Sequence, residues 1–73
     1  LLGITADETP TLSPREREVL KLLSDGHGNE EIGKLLFISP DTVRTHVRRA
    51  MTKLGAGNRT QAVAKALRKS LIA

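Results

Sequence analysis

A chain of 73 residues holds one small domain with a thin stability margin, which leaves no room for a large enzyme cleft. It contains no cysteine, which excludes disulfide frameworks and thiolate metal sites, and no apolar run approaches the roughly 20 residues a membrane span needs. The net charge of +4 is unevenly placed: residues 1–38 carry four basic against seven acidic side chains and residues 39–73 eight against one, so a polyanionic partner is expected at the second half, nucleic acid before membrane.

Residues 1–11 have no sustained period and hold Gly3 and Pro10 among small polar and acidic residues, the pattern of a linker or arm. Residues 12–73 are the expected folded domain. Ser13-Pro14-Arg15-Glu16 is a capping box, with Ser13 as N-cap, Pro14 at the first helical position and Glu16 reaching back to the Ser13 N–H. The helix it starts points Val19, Leu20, Leu22 and Leu23 inward and ends near Asp25, with Gly26 and Gly28 bracketing His27 in the turn. A shorter second helix begins at Asn29, expected to cap it, and carries Ile32, Leu35 and Leu36. Phe37 and Ile38 prolong that apolar run, and both are expected in the core.

Ser39 followed by Pro40 is the strongest helix start in the sequence. From there Val43, Val47, Ala50, Met51 and Leu54 recur on one face of a 3.6-residue helix, and Gly55 is the stop. Opposite that stripe fall Asp41, Thr45, Arg48 and Thr52, with Arg44 and Arg49 on the flanks. Asp41, in the first turn, is stabilised by the helix dipole and is expected to bond first-turn N–H groups. A last helix is capped by Asn58 with Gln61 as capping-box partner, and its apolar residues Ala62, Val63, Ala66, Leu67 and Leu71 span a wider arc than one packing face requires. Alternation never persists, so no strand competes and an all-α domain of four helices is predicted.

Only Phe37, Ile38 and Ser39 separate the second helix from the third, which is the helix-turn-helix arrangement. The stretches Leu12 to Leu20, Asn29 to Ile32, Ile38 to Val47, Lys53 to Ala56 and Asn58 to Val63 resemble, in order and spacing, the successive blocks of the LuxR/FixJ/NarL-type (GerE-like) helix-turn-helix domain. The resemblance implies a four-helix C-terminal output domain of a bacterial transcriptional regulator, behind a receiver or ligand-sensing domain. It places the third helix, residues 40–54, in the major groove of double-stranded DNA, and the fourth at a homodimer contact through Val63, Ala66 and Leu67. Carried over by position, Arg44, Thr45 and Arg48 face base edges. Asn29, Thr42, His46, Arg49, Lys53 and Arg59 lie where phosphate contacts are expected. Three departures stand out. Glu30 occupies a position where the family usually has a basic residue, Gly28 stands where Ser or Thr usually precedes the capping Asn29, and Gly33 replaces the usual Ala at about 1 kcal/mol of helix propensity.

The chemistry of these residues suits that assignment. Arg44 and Arg48, one turn apart, can each present a planar fork to O6 and N7 of guanine, the alternative being a phosphate clamp. Thr45 can donate, accept, or pack its methyl on a thymine methyl. Arg49 and Lys53 are better suited to phosphate, and His46, at the edge of the apolar stripe, is expected to bond a backbone group. Neither histidine has a second metal ligand nearby, so no metal or other cofactor is expected. The expected function is sequence-specific duplex binding in the cytoplasm, as part of a regulator of the two-component response-regulator type. The alternative is a basic helical module that meets an acidic protein without reading DNA. No catalytic constellation is present, so an enzyme is not expected. Single-strand binding lacks a stacking platform, since Phe37, the one aromatic residue, is expected to be buried.

Overall fold

The computed structural model describes residues 11–73, which form four helices: α1 (Pro14–Ser24), α2 (Asn29–Leu36), α3 (Pro40–Leu54) and α4 (Arg59–Arg68). Among these residues there is no strand, as expected. The arm expected over residues 1–11 lies, but for Thr11, outside the described residues.

Three of the four helices begin at a side-chain cap. The Ser13 hydroxyl accepts the Glu16 N–H at 3.1 Å while Glu16 accepts the Ser13 N–H at 2.9 Å, which completes the capping box. Ser39 accepts the Thr42 N–H at 3.1 Å, and Asn58 accepts the Gln61 N–H at 2.8 Å. The reciprocal half of the Asn58 box differs from the expected one: the Gln61 side-chain Oε1 accepts the Gly57 N–H, one residue earlier. The second helix also departs from expectation, because its cap is Gly28 with no side-chain hydrogen bond and Asn29 is already the first helical residue. Gly55 ends α3 in the left-handed region at φ 65°, where a Cβ would be strained.

Two buried clusters hold the helices together, and α3 feeds both. Val43 and Val47, from its first half, close on Val19 of α1 and Ile32 of α2. Ala50 and Leu54, from its second half, close on Leu20 of α1, Ala62 and Ala66 of α4, and Leu12 and Ile72 at the two ends of the folded region. Met51 and Leu23 pack against both clusters. Val19, Leu20, Ile32 and Val43 are fully buried, and each is worth roughly 1.5–3 kcal/mol of apolar burial. With one side committed to the core along its whole length, α3 has no freedom to rotate, and its other side faces outward by necessity.

The α2–α3 turn overturns one expectation from the apolar run. Phe37 is 93% exposed, and Leu35 is also exposed; of the continuation only Ile38 packs against the core. The reason is backbone geometry. Phe37 is the C-cap of α2 and sits in the left-handed region at φ 60°, so the chain reverses there and the ring is carried outward. The Ile38 N–H returns to the Gly33 carbonyl at 2.9 Å to close the turn. A Cβ at Gly33 would lie 2.6 Å from the Ile38 carbonyl oxygen. The glycine that is costly for helix propensity is thus the residue that lets the turn fold this tightly onto α2.

Candidate nucleic-acid interface

The outward side of α3 carries Asp41, Arg44, Arg48, Arg49 and Thr52 exposed, with Thr42, Thr45 and His46 half-buried along its margins. Arg44 and Arg48 are four residues apart and so stack one turn above the other. Arg48 and Arg49 have no acidic partner among the described residues, which leaves both guanidinium groups available. Arg44 is different, because its Nη1 donates to Asp41 Oδ1 at 2.6 Å. Asp41 stands in the first turn of α3, where the dipole favours it, but does not bond the first-turn N–H groups as expected: the Thr42 N–H goes to Ser39 and the Asp41 carboxylate goes to Arg44.

The threonines are internally engaged. Thr45 donates its hydroxyl to the Asp41 carbonyl at 3.1 Å, and Thr52 donates to the Arg48 carbonyl at 3.1 Å. The Thr45 methyl and its remaining acceptor capacity are what it can offer to a ligand. Thr42 shares a hydroxyl–hydroxyl contact of 2.9 Å with Ser39 beside the α3 N-terminus. His46 Nδ1 is buried without a hydrogen-bond partner, so the backbone bond expected of this histidine is not made through that nitrogen.

Two residues expected on phosphate, Asn29 and Arg59, are brought together from different helices. Arg59, the first residue of α4, donates Nη1 to Asn29 Oδ1 at the first residue of α2 across 2.8 Å. Both are exposed enough to present a polar pair beside the uncapped N-terminus of α2.

Lys53 is committed elsewhere. Its Nζ donates to Glu16 Oε1 at 2.8 Å, and the Glu16 side chain is almost wholly buried between α1 and α3. Burial alone would raise the Glu16 pKa, but the hydrogen bond from Lys53, the Ser13 N–H, the Lys53 charge and the Ser13 hydroxyl together hold it below its ordinary value of 4.5. Glu16 is the residue that sequence reasoning assigned only to a cap; its second partner lies 37 positions away, beyond any local pattern. Lys65 is similarly structural, donating to the Gly55 carbonyl at 2.9 Å and tying α4 to the end of α3.

The three residues expected at a dimer contact part company. Ala66 is fully buried in the domain's own core and has no side-chain surface to give a partner, which removes it from that set. Val63 is half-buried, and Leu67 is 46% exposed.

Comparison with known proteins agrees with this architecture. Residues 10–66 match the family described as "Bacterial regulatory proteins, luxR family". The chain is 44% identical over 68 residues to the "Oxygen regulatory protein NreC" of Staphylococcus aureus, covering 93% of this chain and 31% of that protein. It is 45% identical over 67 residues to the "Probable transcriptional regulatory protein NarL" of Mycobacterium tuberculosis, covering 92% of this chain and again 31% of the relative. The chain thus spans about a third of the length of these relatives. Among solved structures it is similar to that of the transcription factor GerE, with a TM-score of 0.82 and 37% identity over 85% of this chain and 92% of that one.

Proposed function

The chain belongs to the luxR family of bacterial regulatory proteins, and we propose that within it this domain reads a specific sequence in double-stranded DNA with the outward side of α3. The family is one of transcription regulators rather than enzymes, and the chain carries its helix-turn-helix. The observation that carries the sequence-reading proposal is Arg48. It is exposed and without an acidic partner among the described residues, on a helix whose opposite side is locked into two core clusters.

In this reading Arg48 donates bidentately to guanine, Arg44 and Thr45 contact neighbouring bases, and Arg49 neutralises phosphate. The Asn29–Arg59 pair and Thr42 meet the sugar-phosphate backbone at the margins, with His46 beside them, while Lys53 contributes charge from within its ion pair. Two copies meet through Val63 and Leu67 of α4 and read half-sites about one helical turn, roughly 34–36 Å, apart. The domain is the output end of a longer cytoplasmic regulator whose preceding part is of the response-regulator type. The size of NreC and NarL relative to this chain supports that proposal. Among the described residues no helix is long and apolar enough to cross a membrane.

Selection from a pool of random duplexes tests the proposal. An enriched motif with a guanine at a fixed place, lost when Arg48→Ala is used, is the expected result. Binding that is equal on every sequence favours instead a basic surface that meets an acidic partner.

A further inference from the structure

We propose that Asp41 is a specificity-determining residue of α3: it fixes the base that Arg44 addresses, and its free carboxylate oxygen accepts a hydrogen bond from the exocyclic amine of an adjoining cytosine. The inference rests on the DNA reading of α3 given above.

Asp41 is the one acid among residues 39–73, and it stands on the side of the helix richest in positive charge. On a surface that serves only phosphate, a carboxylate there weakens every complex by repulsion. A capping hydrogen bond does not account for it, since Ser39 already takes the Thr42 N–H, and the dipole stabilisation open to any first-turn acid does not call for its pairing with Arg44. A core role does not account for it either, since its side chain is 87% exposed. Its one side-chain partner is Arg44, at 2.6 Å.

The geometry of that pair is suited to reading. A guanidinium carries five N–H donors in a fixed plane. Asp41 occupies Nη1, which leaves the edge formed by Nε and Nη2 free for a bidentate contact with guanine O6 and N7. Held by Asp41, Arg44 loses rotamer freedom before DNA arrives rather than on binding, and its reach is restricted to one step. The pair is buttressed from below, because Thr45 bonds the Asp41 carbonyl and Ser39 caps the same turn. Asp41 Oδ2 makes no hydrogen bond among the described residues. A carboxylate oxygen in the major groove accepts from cytosine N4 and is repelled by the acceptor edges of guanine and thymine. Together the two side chains select a guanine beside a cytosine.

The experiment is a parallel selection from random duplexes with the wild type, Asp41→Ala and Asp41→Asn, followed by fluorescence anisotropy on the winning duplex and its single-base variants. The expected result is a wild-type motif with a guanine and an adjacent cytosine. In Asp41→Ala the discrimination at that step falls about tenfold, while binding to scrambled duplexes tightens. Asp41→Asn, which retains an acceptor and adds a donor, broadens the accepted base rather than abolishing the contact. A wild-type motif that survives in Asp41→Ala with the same stringency, and a uniform gain in affinity, overturns this inference alone. A wild-type pool with no enriched motif overturns the DNA reading and this inference with it.

Discussion

Glu16 and Lys53 meet across 37 positions of sequence with 2.8 Å between Oε1 and Nζ, and this single contact joins the first turn of α1 to the last turn of α3. The same carboxylate completes the capping box of α1, so one buried group sets both where α1 begins and where α3 lies against it. Lys53→Ala leaves that carboxylate buried with only the Ser13 groups as partners. The expected loss is about 1–3 kcal/mol, toward the lower end because the lysine is partly exposed. Urea unfolding followed by circular dichroism measures it; a change under 0.5 kcal/mol would show the contact to be incidental.

The Glu16 environment also sets an acid limit. Its folded-state pKa lies below the ordinary 4.5, so the unfolded chain binds the proton more readily. The stability this group contributes is present above pH 4.5 and is lost as pH falls through the depressed folded-state value. Glu16→Gln, which keeps an acceptor for the Ser13 N–H, is expected to be less stable than the wild type at pH 7. The gap between the two should narrow on acidification below pH 4.5. Urea midpoints at several pH values decide this, and a gap that stays constant contradicts it.

At the proposed DNA surface the two classes of contact are expected to separate by their salt dependence. Arg48→Ala is expected to cost about 1–3 kcal/mol on the preferred duplex and much less on a scrambled one, relaxing the preference at one position. Arg59→Ala is expected to weaken both duplexes alike and to reduce the slope of log affinity against log salt by about one. Anisotropy titrations over a series of salt concentrations distinguish them. Equal losses on both duplexes for Arg48→Ala would remove it from the base-reading set.

The proposed α4 contact can be tested apart from folding. Leu67→Asp alters a half-exposed side chain and is expected to leave the helical content intact while abolishing cooperative occupation of paired half-sites. Ala66→Asp places a charge in a fully closed core position and is expected to unfold the domain. Mobility shifts on one-site and two-site duplexes, with circular dichroism alongside, test both halves of this statement.

The left-handed Phe37 stores strain without burying its ring. Phe37→Gly is expected to stabilise the domain by about 1 kcal/mol, which in a domain of this size is about 4–8 °C in Tm. Thermal unfolding reads it directly, and a loss of stability would show that the ring makes a packing contribution after all.

Much of this molecule is legible in its sequence because helix ends are local events. Ser13, Ser39 and Asn58 each cap the helix they announce, and the stripe from Val43 to Leu54 is the buried face of α3. What local patterns do not carry is direction and distance. The run Leu35 to Ile38 is continuous in sequence, yet a left-handed backbone at Phe37 turns one member outward and the next inward. Ala66 lies on the same broad apolar arc as Leu67, but only packing decides which of them the core consumes. Asn29 could cap α2 by residue type; Gly28 has the extended backbone instead, and the asparagine turns to Arg59. The commitments of Lys53 and Asn29 depend on partners 37 and 30 positions away, and no periodicity encodes those.

The exposed ring of Phe37 has a practical corollary. With no tryptophan or tyrosine among these 73 residues, it is the only phenylalanine, tyrosine or tryptophan ring they contain. Fluorophenylalanine incorporated biosynthetically would therefore yield a single fluorine resonance, placed three residues before the first turn of α3. The domain carries a built-in spectroscopic reporter at the threshold of its proposed reading helix, free of background from any other ring, against which every titration described above can be followed site by site.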